Sequence, residues 1–145
     1  MILDDQLTFS SAQAVTATAD SQNVIDSSVA RDLGVGDDLY VMATVTTAFT
    51  DTGSDSGLTL ALVTDDNSTL SSDNVLQTLG TIPALAAAGA TYFFKISPAF
   101  VNAFERYLGL TYTPTNGNLT TGAITAGIVN GIQRNKMYPA NYSVA

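Results

Sequence analysis

The chain has 145 residues, no cysteine, no histidine and a formal net charge of −8, with 46% hydrophobic but only 12% charged residues. That length fits one domain able to bury roughly 70% of its unfolded surface, and the missing residue types exclude disulfides, thiolate chemistry, the usual catalytic triads and zinc sites. The basic residues are Arg31, Lys95, Arg106, Arg134 and Lys136, too few and too scattered to neutralise a phosphate backbone, so nucleic acid is not expected as a partner.

Serine and threonine stand where charges are missing, a surface weakly protected against association and suited to a protein that works bound to something large. No basic region precedes an apolar run at the start of the chain, so no signal peptide is expected. The longest apolar stretch, IPALAAAGA (82–90), is too short and too small in side-chain volume to span a bilayer, and no membrane partner is expected.

In chain order, MILDDQL (1–7) lacks turn-bounded alternation and reads as an arm. AVTATADSQNVIDSSVARDLGVGDD (14–38) reads as an alternating strand, a polar turn, a short apolar run and a glycine-punctuated loop ending in two acids. LYVMATVTTAF (39–49) is a long strand with Leu39, Val41, Ala43, Val45 and Phe49 of one parity, and Tyr40, Thr44, Thr46 and Ala48 of the other. GLTLALVTDD (57–66) places Leu58, Leu60 and Leu62 on one face, and TYFFKI (91–96), RYLGLTYT (106–113) and AITAGIVNGIQ (123–133) behave similarly. Between them lie the turn clusters TDTGSDSG (50–57), DDNS (65–68), SSDN (71–74) and PTNGN (114–118), the last a strong reversal signal. Helix signals are poor: Ser97 and Pro98 permit a single turn, and ALAAAGA is short and interrupted by Gly89. NKMYPANYSVA (135–145) again lacks core periodicity. The reading is a single all-β domain of eight or nine strands, a pattern that fits a jelly-roll or an immunoglobulin-like sandwich.

The carboxylates Asp37, Asp38, Asp51, Asp55, Asp65, Asp66 and Asp73 all fall in turns, where aspartate bonds nearby backbone N–H groups. Glu105 and Arg106 are neighbours on a strand pattern and so point to opposite faces. No enzyme, cofactor or metal is expected. DTGSDSG and DDNS are weak calcium patterns, lacking the twelve-residue loop with a terminal glutamate. Gly34-Val35-Gly36 is read as a backbone turn. Arg134 and Lys136 lie beside Met137, Tyr138, Pro139 and Tyr142 in the tail, a composition suited to a docking arm or to a tail folded on its own sandwich. Arg31-Asp32 is a charged pair in an otherwise uncharged loop, able to orient that loop within the chain or across an interface.

The segment 14–38 leading into LYVMATV, with ERYLGLTYT (105–113), GAITAGIVNGIQ (122–133) and NKMYPANY (135–142), resembles the capsid cement (decoration) proteins of tailed phages, closest to the type on the Bordetella phage head. Residues 51–104 match only in general character. The resemblance implies a jelly-roll-like antiparallel β-sandwich with extended arms, about 1–10 and 134–145, forming one domain over 1–145. It implies a structural virion protein, made in the host cytoplasm, on the outer surface of an expanded capsid. There it would bridge subunits of the major capsid protein as a homo-oligomer, a dimer in preference to a trimer. The expected contact residues are Ile2, Leu3, Arg31, Asp32, Arg134, Lys136, Tyr138 and Tyr142. A different class, a carbohydrate-binding sandwich of lectin or host-recognition type, is kept open by six tyrosines and disfavoured by the lack of tryptophan.

Overall fold

The computed structural model describes residues 3–28, 38–97, 99–100 and 102–131. After a 3-10 turn, Asp5–Leu7, come nine strands: β1 (Thr8–Ala14), β2 (Ala19–Asp20), β3 (Ile25–Asp26), β4 (Leu39–Thr50), β5 (Leu58–Asp65), β6 (Asn74–Ile82), β7 (Thr91–Lys95), β8 (Tyr107–Pro114) and β9 (Thr121–Asn130). No α-helix occurs among the described residues, and Ser97 merely accepts the Ala99 N–H at 3.3 Å.

All pairings are antiparallel. One sheet has the order β1-β9-β4-β7 and the other β2-β8-β5-β6, with β3 also on β8. β2 and β3 pair with successive parts of β8, Ala19 opposite Tyr112 and Ile25 opposite Leu108, and so act as one interrupted strand. Eight strands then alternate between two sheets in interlocked Greek keys, which is the jelly roll rather than the immunoglobulin arrangement.

The core follows from strand alternation. One sheet contributes Phe9, Val41, Ala43, Val45, Phe49, Ile124, Ala126 and Ile128; the other contributes Leu58, Leu60, Leu62, Leu76, Ile82, Leu108, Leu110 and Tyr112. At fixed pairing these side chains share one face, because Val41 lies opposite Ile128 and Leu60 opposite Tyr112.

Three elements differ from the sequence expectation. The arm expected over 1–10 ends at Leu7, since Thr8, Phe9 and Ser10 are buried in β1. Two register shifts and a positive φ at Ala12 break the alternation that would have marked this strand. The alternating AVTATAD is not one strand: Ala14 ends β1, Ala19 and Asp20 form β2, and residues 15–18 between them are the corner at which the chain changes sheet, with Val15 buried. β6 gave no period-two signal because two bulges, where Leu79 and Leu76 are skipped against β5, shift its parity twice.

A polar relay crosses the core at that first corner. The Tyr112 hydroxyl lies 2.6 Å from Ser10 Oγ, and Ser10 Oγ donates to Gln13 Oε1 at 2.6 Å. Ser10 has one proton, so Tyr112 is the donor to Ser10. Gln13 Oε1 also accepts the Gln22 N–H (2.9 Å), and Gln13 Nε2 donates to the Asp20 carbonyl (2.7 Å). β1 is thereby fastened to β8 and β2 of the opposite sheet. Burial, only partly offset by the Ser10 hydrogen bond, holds the Tyr112 phenol well above its ordinary pKa, so it stays protonated and able to donate.

Ser10→Ala leaves a buried tyrosine hydroxyl unpaired and should cost about 2–3 kcal/mol, against about 1 kcal/mol for Tyr112→Phe. In a double-mutant cycle followed by urea unfolding, the pair should cost less than the sum by about 1 kcal/mol; additivity within about 0.3 kcal/mol would dismiss the relay.

Candidate contact surface

The two outer faces of the sandwich differ in chemistry. On the β2-β8-β5-β6 face, Thr59 and Thr81 share a hydroxyl bond at 2.9 Å, and Thr111 Oγ1 lies 2.8 Å from Asp20 and 3.2 Å from Asp73. Part of this face is covered by the loop from Asp66 to Asp73, whose Leu70 packs on Gly109 and is only 3% exposed. Asp65 holds the loop: its carboxylate accepts the Ser72 N–H (2.8 Å) and the Asn67 N–H (3.0 Å), which together lower its pKa.

The outer face of β1-β9-β4-β7 carries an apolar band at one end. Met42 lies opposite Phe93 on β7 and Gly127 on β9; one row further on, Tyr40 lies opposite Lys95 and Val129. Directly opposed residues share a face, so Tyr40, Met42, Phe93 and Val129 form one surface outside the core. Val129 is buried, and the other three are partly exposed. Leu3 sits over Gly127, where a Cβ would come within 2.5 Å of Leu3 Cδ1 and 2.8 Å of the Leu7 carbonyl. Glycine at 127 lets the N-terminal segment lie close on the strand. The band is bounded by a threonine row, with Thr44 and Thr91 bonded at 3.0 Å, and by the Lys95–Asp38 ion pair at 2.8 Å.

Of the expected contact residues, Leu3 lies in this surface. Ile2, Arg31, Asp32, Arg134, Lys136, Tyr138 and Tyr142 lie outside the described residues. The points at which their segments join the sandwich can still be located. Asp38, which ends the 29–37 segment, and Gly131, which precedes the tail, are joined by a Gly131 N–H to Asp38 carbonyl bond of 3.4 Å. Gly127, under Leu3, is four residues back along β9, roughly 13 Å away. All three expected contact segments therefore join the domain beside the apolar band. Tyr40, Met42 and Phe93 were missed because each strand was read for its inward parity. The available signal was apolar residues of both parities in LYVM, FF and IV.

At the other margin of the 29–37 segment, Arg106 grips Asp26 through two bonds, Nε at 2.9 Å and Nη2 at 2.8 Å, and its guanidinium stacks 4.9 Å from the Tyr107 ring centre. Asp26 also accepts the Ser28 N–H at 2.7 Å. The Arg106 bond, then that of Ser28, hold its carboxyl at about 2. Arg106 thus pairs with Asp26 and not with Glu105, which accepts from Asn74 at 3.3 Å. For the calcium patterns, Asp51 Oδ2 turns back to Gly53 N–H (3.0 Å) and Asp55 N–H (3.4 Å), while its Oδ1 is buried without a hydrogen-bond partner. Among the described residues no group of three or more acidic side chains could hold a metal.

The strand order and the two unlike faces define an eight-stranded jelly-roll protein presenting an apolar outer surface at one end. A family model, Bbp16, matches residues 9–128, from the first sheet strand almost to the end of the last. The chain belongs to the Bbp16 family, whose name points to a Bordetella phage protein. Among curated proteins no match is found.

The Asp26 carboxyl has a folded pKa near 2 against about 3.9 unfolded, so its contribution is complete above pH 4 and lost as pH falls toward 2. Both partners are roughly half exposed, so solvent screening keeps this contribution small. Asp26→Asn should lower the melting temperature at pH 7 slightly and flatten its fall between pH 4 and 2; an unchanged acid slope would remove this ion pair from the acid response.

Proposed function

We propose that this chain is a structural virion protein, a cement or decoration protein that binds the outside of an expanded phage capsid and bridges major capsid subunits. The observation that supports this most is the apolar band of Tyr40, Met42 and Phe93, beside which the N-terminal segment, the 29–37 segment and the tail all join the sandwich. Contiguous apolar surface rimmed by polar groups is characteristic of protein contact sites. A docking arm adds affinity with little sequence signature, because extended backbone can supply the hydrogen bonds.

Bridging needs no catalytic group. It needs a fixed body touching two subunits that come into reach together only in the assembled lattice; once one site is held, the second engages at an effective concentration on the order of millimolar. The acidic balance favours a basic patch on the shell and disfavours packaged DNA. In this reading the protein works as a homo-oligomer, a dimer in preference to a trimer, joined through one self-complementary patch.

Purified protein should co-sediment saturably, at a fixed ratio, with expanded heads of its own phage and not with unexpanded ones. Decorated heads should then disrupt at a higher temperature than bare heads. Folded protein that binds neither form would refute the cement reading and bring carbohydrate binding forward, to be tested on a glycan array.

A further inference from the structure

At the end of the sandwich opposite the apolar band lie the connections 15–18, 51–57, 83–90 and 115–120, of which 15–18, 51–57 and 115–120 are hydrogen-bonded to one another. Ser56 Oγ donates to the Gly117 carbonyl (2.7 Å), Asn116 Nδ2 to that of Asp55 (3.2 Å), and the Leu119 N–H to that of Thr16 (2.8 Å). Three of these connections are built from polar turn residues. The fourth, Pro83–Ala90, has no polar side chain at all.

Its conformation is set instead by β4: Phe49 N–H donates to Ala86 carbonyl (2.9 Å), Gly89 N–H to Val45 carbonyl (2.8 Å), and Val45 N–H to Ala90 carbonyl (2.8 Å). Ala86 is buried, while Pro83, Leu85, Ala87 and Ala88 are exposed. Leu85 is the most exposed large hydrophobic residue described, at 55%, and it sits at φ +56, a region a leucine occupies only when its surroundings impose it. Leu70 has a similar φ (+51) but is buried on Gly109, whereas Leu85 is held outward, with no core contact to offset its strain, by a framework anchored in the core strand; strain of this kind clusters at functional sites.

We propose that the 83–90 loop is a second, preformed docking element, which seats Leu85 in an apolar pocket of a protein partner other than this chain. The carboxylates of Asp51 and Asp55 share this end, whereas both cations among the described residues, Lys95 and Arg106, lie at the other. Two copies meeting here would oppose like charges, whereas a partner with a basic rim around the pocket would be complementary. On the cement reading, on which this inference rests, that partner is a neighbouring capsid subunit. Along β4 the band lies at Tyr40 and Met42 and the loop is held at Val45 and Phe49, so the two surfaces are centred roughly 20 Å apart on one body.

Leu85→Gly separates binding from folding, because glycine accepts this φ without strain; Leu85→Asn, also tolerant of it, is the second variant. Both should melt at or near the wild-type temperature and bind expanded heads at least about tenfold more weakly, with unchanged self-association in sedimentation velocity. Wild-type-like binding of both variants to heads that the wild type does bind would overturn the loop proposal and leave the cement reading standing. Loss of self-association without loss of head binding would overturn the choice of a foreign partner. Failure of the wild type itself to bind would overturn both.

Discussion

The domain depends on a hydroxyl relay in its core. β1 is short, bulged twice and twisted at Ala12, so its own ladder to β9 is irregular. Tyr112, reaching across from β8 to Ser10, and Gln13, reaching to Asp20 at the end of β2, fix it regardless. With β1 in place, the first and last of the described strands lie side by side, β9 is supported on both edges, and Leu3 is delivered onto Gly127 at the outer surface. A polar chain like this is stabilising only when complete, because each buried hydroxyl left alone costs about 1–3 kcal/mol.

From that arrangement the two outer faces acquire unlike roles. One face carries Thr59 bonded to Thr81, Thr111 bonded to Asp20 and Asp73, and a loop held by the Asp65 carboxylate. The other has apolar side chains of the outward parity at one end. The described cations are both engaged, Lys95 by Asp38 and Arg106 by Asp26, at the margins of the 29–37 segment. The charge they leave behind is acidic. An apolar band at one end and an apolar loop at the other suit a body that spans between two neighbours better than one that encloses a small ligand.

Much of the fold was legible in the residues. β4, β5, β8 and β9 were visible because their inward positions keep strict alternation, and PTNGN marked a true reversal, with Gly117 at φ +91. β1 and β6 were not, because a bulge reverses the parity of everything beyond it and erases the period on which strand reading rests. Jelly-roll order could not be told from an immunoglobulin-like order, since both bury alternate residues and only the pairing differs. Of the apolar outer band, Leu3 was singled out in the sequence, whereas Tyr40, Met42 and Phe93 passed as ordinary strand residues. IPALAAAGA was weighed only as a membrane span or a helix and is too short for either. Its meaning lies in what β4 does to it, which no local pattern encodes.

The central claim is that one body touches two capsid subunits through opposite ends. A cryo-EM reconstruction of expanded heads carrying the protein tests it most directly. The account predicts each sandwich lying across a subunit boundary, with Tyr40, Met42 and Phe93 against one subunit and the 83–90 loop against its neighbour. Density that meets a single subunit, or that meets the shell through the threonine face of β5 and β6, would contradict it.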